Sequence, residues 1–271
     1  MRLVTLRTTD GTRAGRLESD HVVPLDATDV AAVLERGMGN VDEVGDSIAL
    51  ADADLAPVVP RPSKIFCLGL NYRSHIEEMG AELPDNPTLF AKFPAALIGA
   101  RDPIRLPEAS KAVDWEGELA FVIGRRVRNA SADEAAGAIG GYTICNDVSM
   151  RDWQWRTSEW LQGKTWEGST PLGPALVTPD EVDHAADLLL RCEVDGEVMQ
   201  EARTSDLLFK PADIVSYVST IVTLEPGDVF STGTPGGVGA GMQPPRFLRP
   251  GQVVRTSIEG LGELVNECVK S

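Results

Sequence analysis

Residues 114–123 read Asp-Trp-Glu-Gly-Glu-Leu-Ala-Phe-Val-Ile, and this run decides what kind of protein the chain makes. As a strand its side chains alternate between faces, so Glu116 and Glu118 point one way while Leu119, Phe121 and Ile123 point the other, into a core. Two like carboxylates side by side repel. Water relieves that repulsion if the strand lies at a solvated sheet edge. A hard divalent cation between the carboxylates relieves it if the strand is buried. The spacing alone leaves both open.

Outward from this run the chain is rich in similar segments. Ile65–Leu68, Glu118–Ile123, Tyr142–Asn146, Leu189–Val194, Asp228–Thr232, Val253–Ile258 and Glu263–Val269 are predicted strands, many bounded by turn residues such as Asp195-Gly196, Pro226-Gly227 and Gly260-Leu261-Gly262. Helices are fewer. Val30, Val33 and Leu34 share a helical face near Asp29–Arg36. Ser131 and Glu134 form a capping box opening a helix through Ile139, and Pro211 suits the first turn of a helix burying Ile214, Val218 and Ile221. Strands dominate without β-α-β alternation, which disfavours a doubly wound sheet and predicts a mainly β (α+β) fold.

The start of the chain is set apart. Leu3–Leu6 and Gly15–Leu17 flank a hairpin turn at Asp10-Gly11, and three prolines between Pro57 and Pro62 read as an extended linker. We expect a small N-terminal domain over residues 1–60 and a main domain over 63–271.

Composition narrows the function classes. Apolar residues make up 42% of the 271 and charged residues 24%, which excludes disordered and collagen-like chains. The formal charge of −16 repels a polyanion, so nucleic acid is not an expected partner. No apolar run is long enough to span a bilayer and the N-terminus has no apolar leader, so the expectation is a soluble cytoplasmic protein without a membrane partner. The four cysteines lack C-x-x-C spacing and the three histidines are scattered, so any metal must be held mainly by oxygen.

Three further segments could carry chemistry. Asp147 follows the apolar strand Tyr142–Asn146, where it either presents a ligand or hydrogen-bonds its own turn. His75 and Glu78 lie three apart, so on a helical turn they form either a proton-accepting dyad or an exposed histidine beside an incidental glutamate. The polar stretch from His75 to about Asn86 has the character of a lid. Ser231–Gly239 has neither a phosphate-loop ending nor dinucleotide spacing, which leaves only a small anion as its possible ligand.

Taken in order, Gly69-x-Asn71-Tyr72, His75-x-x-Glu78, Glu116-x-Glu118, Asp147 with Arg151-Asp152-x-Gln154, Gly163-Lys164 and Thr232-Gly233-Thr234-Pro235 resemble the fumarylacetoacetate hydrolase family over roughly Lys64–Val269. The resemblance implies a β-roll of mixed sheets with a small leader domain, a homodimer, and Mg²⁺ or Mn²⁺ on Glu116, Glu118 and Asp147. It further implies catalytic roles for His75, Glu78 and Lys164, and substrate contacts from Tyr72, Arg151, Gln154 and Thr234. Trp166-Glu167-Gly168 departs from the family's usual Phe-Asp-Thr-like run.

The activity expected first is metal-dependent hydrolysis of a C–C bond in a 2,4-dioxo acid such as an acylpyruvate. The metal would stabilise an enolate, Lys164 would add positive charge, and His75 oriented by Glu78 would activate water. The alternative is a decarboxylase or keto–enol isomerase of a 2-oxo diacid at the same site. A catalytically silent metal-binding scaffold is the third reading, and retention of His75, Glu78 and Lys164 argues against it.

Overall fold

Strand Gly117–Ile123 lies in the interior of an eleven-stranded sheet, hydrogen-bonded to Ile139–Asn146 on one side and Val229–Ser231 on the other. All seven of its residues are buried, so the solvated-edge alternative is excluded. Its two faces feed two cores. Leu119, Phe121 and Ile123 pack with Ile144, Ile214 and Phe230, whereas Ala120 and Val122 pack with Cys67, Cys145, Leu172 and Val229. A strand buried on both faces must be apolar along its length, which is why residues 119–123 contain no polar side chain. Phe121 and Phe230 stack with ring centroids 4.7 Å apart.

The computed structural model describes residues 1–78, 80 and 82–271, and of Glu78 the backbone only. The large sheet runs Ile48–Ala49, His21–Pro24, Gly11–Glu18, Arg2–Thr8, Thr170–Val177, Ile139–Asn146, Gly117–Ile123, Val229–Ser231, Ile65–Gly69, Thr88–Ala91, with Leu97–Ile98 joining at Thr170–Val177. A five-stranded sheet runs Glu197–Arg203, Leu189–Val194, Val253–Ile258, Gly262–Lys270, Ile104–Leu106. Parallel pairs (Val229–Ser231 with Ile65–Gly69, Gly262–Lys270 with Ile104–Leu106) sit among antiparallel ones, so the sheets are mixed as expected.

Several local expectations are met and others shift. The hairpin of Arg2–Thr8 and Gly11–Glu18 forms, and its first strand continues the sheet by pairing Leu3 with Leu176. The proline-rich segment has no regular structure, yet it is packed. Val58 donates to Leu172 O and accepts from Thr5 Oγ1, and its side chain is buried. The Ser131–Glu134 capping box is present, but its helix stops at Ala136 and Ile139 already begins a strand. Pro211–Ser219 buries Ile214 and Val218 as expected. Ile221 lies beyond the Thr220 cap and is 59% exposed, because the helix ends before its face can turn inward. His75 stands on the short helix Arg73–Glu78, while Met79 and Ala81 of the expected lid lie outside the described residues. Among the described residues no helix is long and apolar enough to cross a membrane.

The four cysteines are all buried and unpaired by disulfides. Burial pushes every thiol up, Cys192 and Cys268 to about 12, and the thiolate is the reactive form. Native protein is therefore expected to resist a disulfide reagent such as dithiobisnitrobenzoate at pH 8, and to release one chromophore per cysteine after unfolding in guanidinium. Prompt labelling of the native protein would contradict this packing.

Candidate metal centre and active-site cleft

The register of two neighbouring strands brings the carboxylates together. Gly117 pairs with Asn146 and Glu118 with Cys145, which sets Asp147 opposite Glu116. The backbone locks this arrangement, since Asp147 N donates to Glu116 O at 2.8 Å and Glu116 N donates to Asn146 Oδ1 at 3.0 Å. Opposed residues on one face of an antiparallel pair are close neighbours, and Glu118 follows two residues along that face. One carboxylate oxygen from each of Glu116, Glu118 and Asp147 lies within 4.8 Å of the others, and all three residues are buried.

Cations surround the cluster unevenly. Lys164, at the end of the short helix Leu161–Lys164, donates to Glu116 Oε2 at 2.6 Å and to Asp147 Oδ2 at 2.8 Å. Arg151 pairs with Glu116 Oε1 at 2.6 Å and donates to Asp114 Oδ2 at 2.8 Å and to Gln154 Oε1 at 2.9 Å. Lys92 donates to Asp147 Oδ1 at 2.5 Å. Glu118 has no ion-pair partner among the described residues. Ser231 Oγ and Gly233 N both donate to its Oε2.

These surroundings push the carboxyls apart. Burial, and then the charges of Asp147 and Glu116, raise Glu118 well above the ordinary glutamate range. Burial opposes ionisation of Asp147 too, but the Lys164 and Lys92 ammonium groups outweigh it and hold that carboxyl below its ordinary value. Lys164 loses to burial and gains more from Asp147 and Glu116, so its ammonium is held more firmly than an ordinary lysine's.

The donor set fits a hard divalent cation: three buried carboxylates converge, and Glu118 Oε1 carries no hydrogen bond among the described residues. The carboxylates Glu116 and Glu118 line a cleft of ≈ 460 Å³, together with Lys164, Arg151, Gln154, Thr234 and His75. Phe90, Trp155 and Trp160 supply apolar wall. His75 is half-buried on a helix tethered through Ser74, which donates to Asp206 Oδ2. The Glu78 side chain, its expected partner, lies outside the described residues.

One expected participant stands elsewhere, and so does the motif departure. Tyr72 is fully buried in the main core, does not line the cleft, and its hydroxyl has no hydrogen-bond partner among the described residues. Trp166, Glu167 and Gly168 line a separate cleft of ≈ 610 Å³ with Arg105 and Pro107, so the departure from the family run falls outside the carboxylate cleft. Sequence reasoning gave no role to Lys92 or Asp114, and read Ser231 only as part of a loop for a small anion rather than as a donor to Glu118. Asp114 binds Gly239 N and Ala240 N as well as Arg151, which ties the glycine-rich loop to the site. Lys92 did leave a signal: it is the lone charge in the apolar run Leu89–Ile98.

Residues 64–269 match the family model described as fumarylacetoacetate (FAA) hydrolase C-terminal. The chain is 46% identical over 217 residues to a mitochondrial oxaloacetate tautomerase of Xenopus laevis, a match covering 79% of this chain and 68% of that protein. Among solved structures it is similar to a 5-carboxymethyl-2-hydroxymuconate delta-isomerase from Mycobacterium smegmatis (TM-score 0.85, 37% identity, 100% of both chains covered). It is also similar to a fumarylacetoacetate hydrolase from Exiguobacterium antarcticum (TM-score 0.87, 33% identity, 100% of both chains covered). The chain belongs to the fumarylacetoacetate hydrolase family.

Proposed function

We propose that this enzyme interconverts the keto and enol forms of a 2-oxo dicarboxylate of the oxaloacetate type, using Mg²⁺ or Mn²⁺ held by Glu116, Glu118 and Asp147. The observation that carries the reading is the convergence of three buried carboxylates, two of which, Glu116 and Glu118, line a cleft together with Arg151 and Lys164. Glu116, Glu118, Asp147 and Asp114 face three buried cations, Arg151, Lys164 and Lys92. With Glu118 ionised to take the ion, these groups sum to one negative charge, which a divalent cation turns to one positive charge that an anionic substrate satisfies.

When bound, the cation supplies Lewis acidity toward the keto and carboxylate oxygens of a 2-oxo acid. Lys164 spends two of its three N–H donors on Glu116 and Asp147, which leaves one for charge developing on the C2 oxygen. Arg151 is fixed by three acceptors and keeps unspent N–H groups for a substrate carboxylate. His75 carries the proton between C3 and solvent. Keto-to-enol conversion removes one proton from C3 and delivers one to the C2 oxygen. It consumes no water and breaks no bond between heavy atoms.

Oxaloacetate tautomerases and a muconate isomerase among the relatives support this reading over the C–C hydrolysis that the sequence put first. Decarboxylation of the same diacid stays compatible with it, because that reaction also places charge on the C2 oxygen. Hydrolysis is the second reading, favoured by His75 in the cleft wall and by the solved hydrolase relative. Stopped-flow absorbance of the oxaloacetate enol separates them. With Mg²⁺ present the protein is expected to accelerate loss of the enol signal over buffer. No acceleration with either Mg²⁺ or Mn²⁺, together with pyruvate release from an acylpyruvate, would overturn the tautomerase in favour of the hydrolase.

A further inference from the structure

We propose that Lys92 is the positioning residue of the cation site: it fixes the Asp147 carboxylate so that Oδ2 faces Glu116, and so sets the affinity for the divalent cation. The inference rests on the reading of Glu116, Glu118 and Asp147 as that cation's ligands.

Lys92 directly follows the outer strand Thr88–Ala91, yet it is 2% exposed. Its ammonium donates to Asp147 Oδ1 at 2.5 Å and to Val148 O at 3.3 Å, so it grips the residue and the adjoining backbone together. Among the described residues it is the only partner of Oδ1, and Oδ2 is left to Lys164. The backbone around Lys92 is braced in turn. Lys92 N donates to Ile65 O, and Phe93 N donates to Thr165 Oγ1, next to Lys164. Burying an ammonium is costly unless it is paired and hydrogen-bonded, and this one is both.

Lys92 and Lys164 thus divide the two oxygens of one carboxylate but differ in access. Lys164 lines the cleft, whereas Lys92 does not and spends its ammonium on Asp147 and the Val148 carbonyl. Lys92 therefore acts through Asp147 rather than on a substrate. Partners that orient a ligand from behind are typically worth about 10–100-fold in metal affinity.

The sign of the effect makes the test sharp. Coulomb repulsion between an ammonium and a dication predicts tighter binding once the ammonium is removed. Positioning predicts weaker binding. Mn²⁺ binding to the whole protein, read from the electron paramagnetic resonance of the free ion, is expected to weaken about 10–100-fold in Lys92→Met. In an Asp147→Asn background the same change is expected to cost nothing further, because the carboxylate it orients is gone.

Near-UV circular dichroism checks that each variant is folded. Should Lys92→Met not fold, Lys92→Gln, which keeps an N–H but no charge, is expected to weaken Mn²⁺ binding in the same direction. Unchanged or tighter binding in a folded variant would overturn the role of Lys92, as would a full loss repeated in the Asp147→Asn background. Wild-type protein that binds no Mn²⁺ would instead remove the cation-site reading, and the proposal with it.

Discussion

Glu118→Gln is expected to slow Mg²⁺-dependent tautomerisation by about 10³-fold, since Lewis-acid stabilisation is worth several kcal/mol and each 1.36 kcal/mol is a factor of ten. The substitution keeps the side chain's shape. Ser231 Oγ and Gly233 N still find an acceptor in the amide oxygen, so the fold should survive. What it removes is a carboxylate that burial and the charges of Asp147 and Glu116 already make costly to ionise. The metal-free variant should therefore melt no lower than wild type, and somewhat higher where that repulsion dominates. Added Mg²⁺ is expected to raise the wild-type melting temperature by binding the folded state, and should not raise that of the variant. A variant with wild-type turnover and wild-type Mg²⁺ stabilisation would remove Glu118 from the site.

His75→Ala is expected to slow exchange of the C3 hydrogens of oxaloacetate with D₂O by about 10²–10⁴-fold, the worth of a positioned proton carrier. Oxalate offers two carboxylates and no C–H bond, so its affinity should be nearly unchanged in the variant. That split separates proton transfer from binding. The same loss of rate accompanied by weak oxalate binding would mean that His75 holds the substrate instead. Exchange at the wild-type rate would take it out of the proton path.

The carboxylate cluster was half legible in local geometry. Strand alternation put Glu116 and Glu118 on one face and the end of an apolar strand marked Asp147, but a solvated edge and a turn aspartate stayed open. The order of motifs was what grouped the three; the register of one antiparallel pair joins them. Lys164, Arg151, Gln154, Thr234 and His75 were legible only through the order of motifs, since nothing in their own spacing says that they face one cleft. Tyr72 shows the limit of that route: a motif position does not tell whether a side chain turns toward the cleft or into the core. Lys92 and Asp114 were hidden for a different reason. Lys92 meets a partner 55 residues away, across the sheet order that places Thr88–Ala91 beside Ile65–Gly69, and Asp114 binds backbone amides about 125 residues distant. Strand order on that scale is not encoded in a local pattern. The burial of the proline-rich segment belongs to the same class, because its partner Leu172 lies on a strand far along the chain.

Arg2–Thr8 is zipped onto Thr170–Val177, the strand that flanks Ile139–Asn146 and hence stands two places from Glu116 and Glu118. The first sixty residues therefore cannot be traded among relatives as a detachable cartridge. A chimaera must bring a strand whose inward residues replace Leu3 and Thr5, both fully buried, and whose rim meets Leu176 in register. Without that match the Leu176–Val177 end of Thr170–Val177 loses its pairing partner and becomes an open sheet edge for any passing chain with free backbone amides. Grafting at this seam is a problem of matching hydrogen-bond edges, much as in joining two pieces of woven cloth, and the proline-rich segment is only the place where the thread crosses over.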